Sequence, residues 1–431
     1  MLKFKVILIL ILIFSFSLYS LTFEEARKIA LDKNRSMKIS EFEVKKAEIA
    51  MRESWASFYP TVSLQSSYTR LLSVPQFEMP MGDGSTQYIS LGFPDNFRNS
   101  LEVTFPVFTF GKRFAVKEIV GKSKDMQILQ HETDKMNLIK DLITYYYGVV
   151  VAGEGFKIAE GAVERAEDHL RTARIQYNQG RITKLDLLQA ETDFNSRKTE
   201  LLNAYNGLEL ARSALNMMLG FSLDTLIEVE GQVNLEIDTF ALDSLKDLAL
   251  TGRPEIQSIK KLSELNSISK SLQYLSFLPD IAFVGSFSYD KPVGFLNEWD
   301  NDMTATIAVS WPIFQGFSRT NAIQKYRLTF EQAVIRENIV KEGIKMEIKN
   351  LLLSYRLNKQ KLILSEEQLK RAKEAYEMAD KQYKAGYISA LDYKDIELGY
   401  RSAEFGHLNA QYNLIVSAKQ IKVATMMDKE E

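Results

Sequence analysis

Residues Tyr177 to Asp186 read YNQGRITKLD, and Tyr383 to Asp392 read YKAGYISALD. The same offset of 206 residues joins Pro106 to Pro312 and Phe108 to Phe314, so the chain is two tandem copies of one long unit. A period this long marks a duplicated half-domain, not the turn of a solenoid. Each half must supply the same elements in the same order.

Bulk properties exclude several classes. The 431 residues carry a formal charge of −2, which offers no electrostatic footprint for nucleic acid, and 45% are hydrophobic, as in ordinary folded proteins. With no cysteine there are no disulfides, thiolate metal sites or lipid-modified cysteines. Lys3 and Lys5 precede an apolar run from Val6 to Phe14 that thins near Ser17 and Ser20. That pattern predicts a secretory signal peptide over residues 1–20, since the apolar core is shorter than the roughly 20 residues of a spanning helix. No later segment approaches a spanning helix, so membrane insertion would have to use strands.

Two stretches in each copy alternate with period two. Val62, Leu64 and Tyr68 face away from Thr61, Ser63, Gln65 and Ser67, and Leu101, Val103, Phe105 and Val107 alternate with Ser100, Glu102 and Thr104. The second copy repeats this with Ile281, Phe283, Phe287 and Tyr289, then Met303, Ala305, Ile307, Val309 and Trp311. Strands of roughly 9–11 residues with one apolar and one small polar face have the length of tilted membrane strands. Aromatic residues gather where these hairpins meet the helices: Trp55, Tyr59, Phe108, Phe277, Trp311 and Phe314 form the expected membrane-interface belt. Pro60, Pro106, Pro279 and Pro312 are read as the helix-strand junctions, because proline separates helical from extended backbone. Pro60 and Pro279 lie 219 apart, so the first copy holds 13 more residues between its junctions, assigned to an exposed loop around Pro75 to Pro94.

From about Arg113 to Tyr177 and Arg319 to Tyr383 there is no proline, enough for helices of about 100 Å. Phe156, Ala159, Val163, Ala166, Leu170, Ala173 and Tyr177 keep a 3,4 spacing, and the offset gives Leu362, Ser365, Leu369, Ala372, Tyr376, Ala379 and Tyr383. The returning segments continue it with Leu187, Ala190, Phe194 and Leu208, matched by Tyr393, Ile396, Tyr400 and Leu414. Sustained heptads predict a long antiparallel coiled-coil hairpin in each copy. The predicted domains are a first repeat over 21–219 (β-hairpin 61–108, tip near 180), a connecting equatorial segment over 220–252, and a second repeat over 253–431 (β-hairpin 280–314, tip near 386).

At each tip a glycine, Gly180 or Gly386, stands where a helix end needs positive φ, and Thr183 to Asp186 or Ser389 to Asp392 has the capping-box pattern of a new helix. Asp395 follows Asp392 by three residues on the same helical face, whereas Gln189 holds that place in the first copy. Spacing alone leaves these acids open between a solvated surface pair and a site. No catalytic constellation, cofactor motif or metal-ligand set is read. His131 and His169 lie in helical stretches without evident ligand partners, and His407 occupies a heptad seam position.

Four strands cannot close a barrel alone, and open edges are not tolerated in lipid, so the chain must oligomerise. With the opening LTFEEARKIALDKN, hairpins ending in TFPVF and SWPIF, the GRPEI segment and the two tip motifs, the mature chain resembles the TolC-like outer membrane efflux family. The resemblance implies an α+β membrane protein: a homotrimer whose four strands per chain make a 12-stranded β-barrel, continuous with a coiled-coil α-helical barrel that crosses the periplasm. It implies a passive exit duct of a tripartite efflux or type I secretion system, without enzymatic activity or cofactor. The partners would be outer membrane lipid, a periplasmic adaptor and an inner-membrane pump. Asp392 and Asp395 match the family's aperture acids, and Gly180, Arg181, Thr183, Gly386, Tyr387 and Ser389 fall where adaptor contact is expected. Ile388 replaces an arginine that helps to latch the best-known member. A periplasmic coiled-coil adaptor or an envelope spacer or adhesin are the alternatives.

Overall fold

A computed structural model describes residues 20–82, 84–230, 240–294 and 296–427. Residues 1–19 of the predicted signal peptide lie outside the described residues. Strand β1 (Ser20–Leu21) leads into α1 (Phe23–Lys33) and α2 (Arg35–Glu53). Then come β2 (Thr61–Arg70), β3 (Gln76–Pro80), β4 (Thr86–Ser90), β5 (Asp95–Phe108), α3 (Lys112–Asn178) and α4 (Lys184–Leu219). The rest runs β6 (Glu228–Val229), α5 (Leu242–Gly252), α6 (Pro254–Leu275), β7 (Asp280–Asp290), β8 (Asp300–Ser310), α7 (Ser318–Ala385) and α8 (Ala390–Ala424). The chain divides into two compact units: one takes residues up to Phe42, Leu129–Gln257 and those from Asn338, the other Glu43–Ile128 and Ser258–Glu337.

The second of these units holds a four-stranded antiparallel sheet in the order β2-β5-β7-β8. Its register aligns Val62, Val103, Gly285 and Ala305 in one row and Leu64, Leu101, Phe287 and Met303 in another. Pleating puts these rows on one face, while the row Ser63, Glu102, Ser286 and Thr304 falls on the other. Every residue of β2 and β8 is exposed, so neither face is a soluble core.

The strands depart from the sequence reading in three places. Pro106 lies within β5 and not at its end: the register shifts between Pro106 and Phe108, which pair with Ala282 and Ile281. A residue lacking N–H is tolerated at such a bulge, and the extra residue brings Phe108, not Val107, into line with the apolar row. The presumed loop around Pro75 to Pro94 carries a β3-β4 ribbon of its own. Each strand-to-helix junction is a pair of left-handed residues, Phe110 (φ 49°) with Gly111 (φ 84°) and Gly316 (φ 58°) with Phe317 (φ 64°).

The first unit holds the cores, and they repeat. Leu138, Leu142, Leu208 and Leu215 are buried in one cluster, and the residues 206 further on, Ile344, Ile348, Leu414 and Ile421, are buried in another. A second offset of 219 relates α1 to α5, with Ala26 and Leu245, Ala30 and Ala249, Met37 and Ile256 all buried. We therefore place α5, within the segment read as a connector, at the start of the second repeat. Even the hydrogen bonds correspond: Asn34 Nδ2 donates to Met218 O at 2.8 Å, and Arg253 Nε donates to Ala424 O at 2.8 Å. β1 pairs in parallel with β6, and the Tyr146 hydroxyl donates to Leu21 O at 2.8 Å.

Candidate functional site

The two tips are built alike. The helix-ending hydrogen bonds run from Gly180 N to Tyr177 O (2.8 Å) and Arg181 N to Gln176 O (2.9 Å), then from Gly386 N to Tyr383 O (3.0 Å) and Tyr387 N to Gln382 O (2.8 Å). This double pattern needs a left-handed residue, which glycine supplies at φ 71° and 81°. Thr183 Oγ1 then donates to Asp186 Oδ2 at 2.8 Å and accepts from Asp186 N at 3.2 Å; Ser389 and Asp392 repeat this at 2.7 and 3.2 Å. The Thr183 hydroxyl and amide hold the Asp186 carboxyl below its ordinary range.

Asp392 is therefore a capping residue first. Asp395 is exposed and makes no ion pair among the described residues. Tyr387 is 82% exposed at the outermost turn. Ile388 instead packs on Ala379, Tyr383 and Tyr393, as Ile182 packs in the first hairpin, so its side chain belongs to the seam that holds the tip together.

Behind the tips the hairpins differ. The first closes with Leu170, Ala173, Leu187 and Ala190; the second puts Tyr376 and Tyr393 in place of the leucines. Tyr177 is exposed and Gln176 buried in its stead, whereas Tyr383 is buried and stacks on Tyr393 with ring centroids 5.0 Å apart. His169 is not solitary: its ring lies parallel to Tyr393 at 4.9 Å, and burial pushes its imidazole down towards the neutral form.

A buried ion cluster that single-sequence reading missed joins the hairpins. Arg197 of α4, 4% exposed, reaches Glu397 of α8 at 3.3 Å, Asp193 at 3.2 Å and Glu200 at 3.1 Å. Arg165 of α3 lies 3.3 Å from Glu404, and Lys394 lies 3.3 Å from Asp193. Burial pushes the Glu397 carboxyl up, against the pull of Arg197 and Arg165. No local signal marks it, because Arg197 and Glu397 lie 200 residues apart and the second copy has Ala403 where the first has Arg197.

Ser40 Oγ donates to Asp134 and lies 3.1 Å from His131 Nδ1, so His131 has a hydrogen-bonding neighbour that the sequence did not reveal. His407 bridges Ser365 (3.2 Å) and Gln411 (3.0 Å), as its seam position requires. Among the described residues no cluster of three or more potential metal ligands occurs, and no helix is long and apolar enough to cross a membrane.

The outer membrane efflux protein family matches residues 26–221 and 245–425. The chain belongs to that family. No significant match occurs among curated proteins. Among solved structures, the efflux family fold is shared with the Campylobacter jejuni CmeC outer membrane channel, at 18% identity and a TM-score of 0.79 over 94% of this chain and 85% of that one. The Vibrio cholerae outer membrane protein VceC aligns at 16% identity and TM-score 0.74, covering 94% and 95% of the two chains. The Neisseria gonorrhoeae MtrE channel, solved in its open state, aligns at 16% and 0.74 over 94% and 88%. As a member of the outer membrane efflux family the protein is an outer membrane channel that extends into the periplasm, and not an enzyme.

Proposed function

We propose that three copies form the exit duct of a tripartite efflux or type I secretion system, passively conducting substrate delivered by an inner-membrane pump and a periplasmic adaptor. The observation that carries this reading is the sheet β2-β5-β7-β8, which ends in two bare edge strands with both faces exposed. In lipid those edge groups need partners, and β8 of one copy beside β2 of the next continues the antiparallel alternation. Three copies give a 12-stranded barrel, above the minimum of about eight.

The hairpin tips are proposed to meet the adaptor through Gly180, Arg181, Thr183, Gly386, Tyr387 and Ser389, with Asp392 and Asp395 at the channel aperture. Trp55, Tyr59, Phe108, Phe277, Trp311 and Phe314 are proposed as the membrane-interface aromatics; all are more than 40% exposed. The repeats over 21–219 and 253–431, the latter extended back to α5, are the two halves of each subunit's contribution.

Detergent-purified protein is expected to migrate as a trimer and to conduct in planar bilayers; monomers without conductance would sink the proposal. Asp395→Asn is expected to weaken divalent-cation block severalfold, since carboxylate rings favour cations. Asp392→Asn should weaken block and also slightly lower the thermal midpoint, because it removes the negative charge from the capping box in the first turn of α8. Block unchanged in both variants would remove these acids from the aperture.

A further inference from the structure

The two ends of the membrane sheet carry opposite charge. Residues 52–60, 109–118, 270–280 and 311–320, at the helical end, hold six basic residues against Glu53, Glu118 and Asp280. At the loop end, residues 68–74, 94–98 and 288–302 hold three basic residues against five acidic ones. Three of the cations at the helical end are seated on aromatic rings and not on carboxylates. Lys117 Nζ lies 3.5 Å from the centroid of Trp55, the Arg113 guanidinium 5.1 Å from Phe58, and that of Arg319 5.3 Å from Phe277.

These contacts fix the cations without neutralising them. Lys117 makes no ion pair among the described residues. Among the described residues Arg113 bonds only neutral oxygens, donating to Thr109 Oγ1 at 3.2 Å and Ser57 O at 3.1 Å. Arg319 Nε donates to Gln315 Oε1 at 3.0 Å, while its Nη2 is buried with no partner. A buried guanidinium N–H without an acceptor is destabilising unless one arrives.

We propose that this collar binds anionic phospholipid of the periplasmic leaflet. The phosphate diester would take the free hydrogens of Arg113, Lys117 and Arg319, while the acyl chains lie along the exposed apolar rows of the sheet. Ring and cation together match a headgroup above its glycerol backbone. The proposal rests on the membrane-channel reading, because it places the helical end of the sheet at the lipid interface.

The chain has three tryptophans, and Trp55 and Trp311 belong to the collar while Trp299 lies at the loop end. In a Trp299→Phe background, protein reconstituted in phosphatidylethanolamine vesicles is exposed to brominated phosphatidylglycerol or brominated phosphatidylethanolamine. Fluorescence quenching is expected to report a preference of about fivefold for the anionic lipid, the effect of one well-engaged basic residue. Arg113→Gln, Lys117→Gln and Arg319→Gln combined should bring the ratio to about one, and raising salt from about 0.05 to 0.5 M should do the same without any substitution. Equal quenching by both lipids, or a preference unmoved by salt and by the substitutions, would overturn the collar and leave the channel standing. No quenching by either lipid would remove the sheet from the bilayer and take both readings with it.

Discussion

Gly220→Ala is expected to lower the thermal midpoint far more than Gly180→Ala, which should leave it only modestly reduced. Both glycines end a helix with positive φ, 74° and 71°, so each substitution meets the strain of a left-handed alanine, roughly 1–2 kcal/mol. Their surroundings differ. A Cβ at Gly220 would lie 2.3 Å from Lys33 O and 2.8 Å from Lys33 C, while nothing comes within 4 Å at Gly180. Because the obstacle is backbone at the end of α1, it cannot rotate away. Either α4 separates from α1 or the Asn34 bond to Met218 O is lost, which adds roughly 1–3 kcal/mol of overpacking to the strain. Against a total stability of about 5–15 kcal/mol, that sum is large. Thermal unfolding in detergent, followed by tryptophan fluorescence, checks it: equal midpoints for the two variants would show that the contact with α1 carries no weight.

Arg253→Ala is expected to cost about 1–3 kcal/mol, because it leaves the buried Ala424 carbonyl without its donor and removes one of the two cations on the partly exposed Glu347. Arg253 is 2% exposed; it donates to Ala424 O at 2.8 Å and to Glu347 Oε2 at 2.6 Å, and Lys140 holds the other Glu347 oxygen at 2.6 Å. The cluster ties α3 of the first repeat to α7 and α8 of the second. Burial alone would raise the Glu347 carboxyl, but hydrogen bonds from Arg253 and Lys140 outweigh it and hold the group at about 2, against an ordinary value of 4.5. A carboxyl held low in the folded protein adds stability that is complete above pH 4.5 and is withdrawn as pH falls towards 2. The thermal midpoint of the native protein should therefore fall across that window, and Glu347→Gln should flatten the fall. Arg253→Met, which keeps the bulk, separates charge from volume. A midpoint for Arg253→Ala within about 1 °C of the native value would refute the tie; a loss of 1 kcal/mol moves a large domain by about 2–4 °C.

Much of this fold was legible because duplication writes it twice. The long helices begin and end within two residues of their sequence limits, and the tip motifs adopt the caps that Gly180, Thr183, Gly386 and Ser389 predict. What escaped were events without a local signature. Pro106 resembles a junction in sequence, and only its pairing with β7 reveals a bulge. Helix α5 follows the offset of 219, not 206, so it vanished into a supposed connector. The ion cluster escaped because Arg197 stands at a heptad position, three residues after Phe194, where an apolar residue is predicted, and its counterpart 206 residues on is Ala403. At the tips the capping role of Asp392 was readable, whereas the contrast with Asp395, exposed and without an ion pair among the described residues, was not.

The sheet of each subunit has an even number of strands, and its two edges run in opposite directions. A ladder built from such units is indifferent to stoichiometry: two, three or four copies would each close without a parallel seam. The number of subunits must then be counted elsewhere in the molecule, by the angle at which neighbouring helical hairpins meet. A substitution in the strands should change whether the ring forms, and one in the hairpins how many members it has.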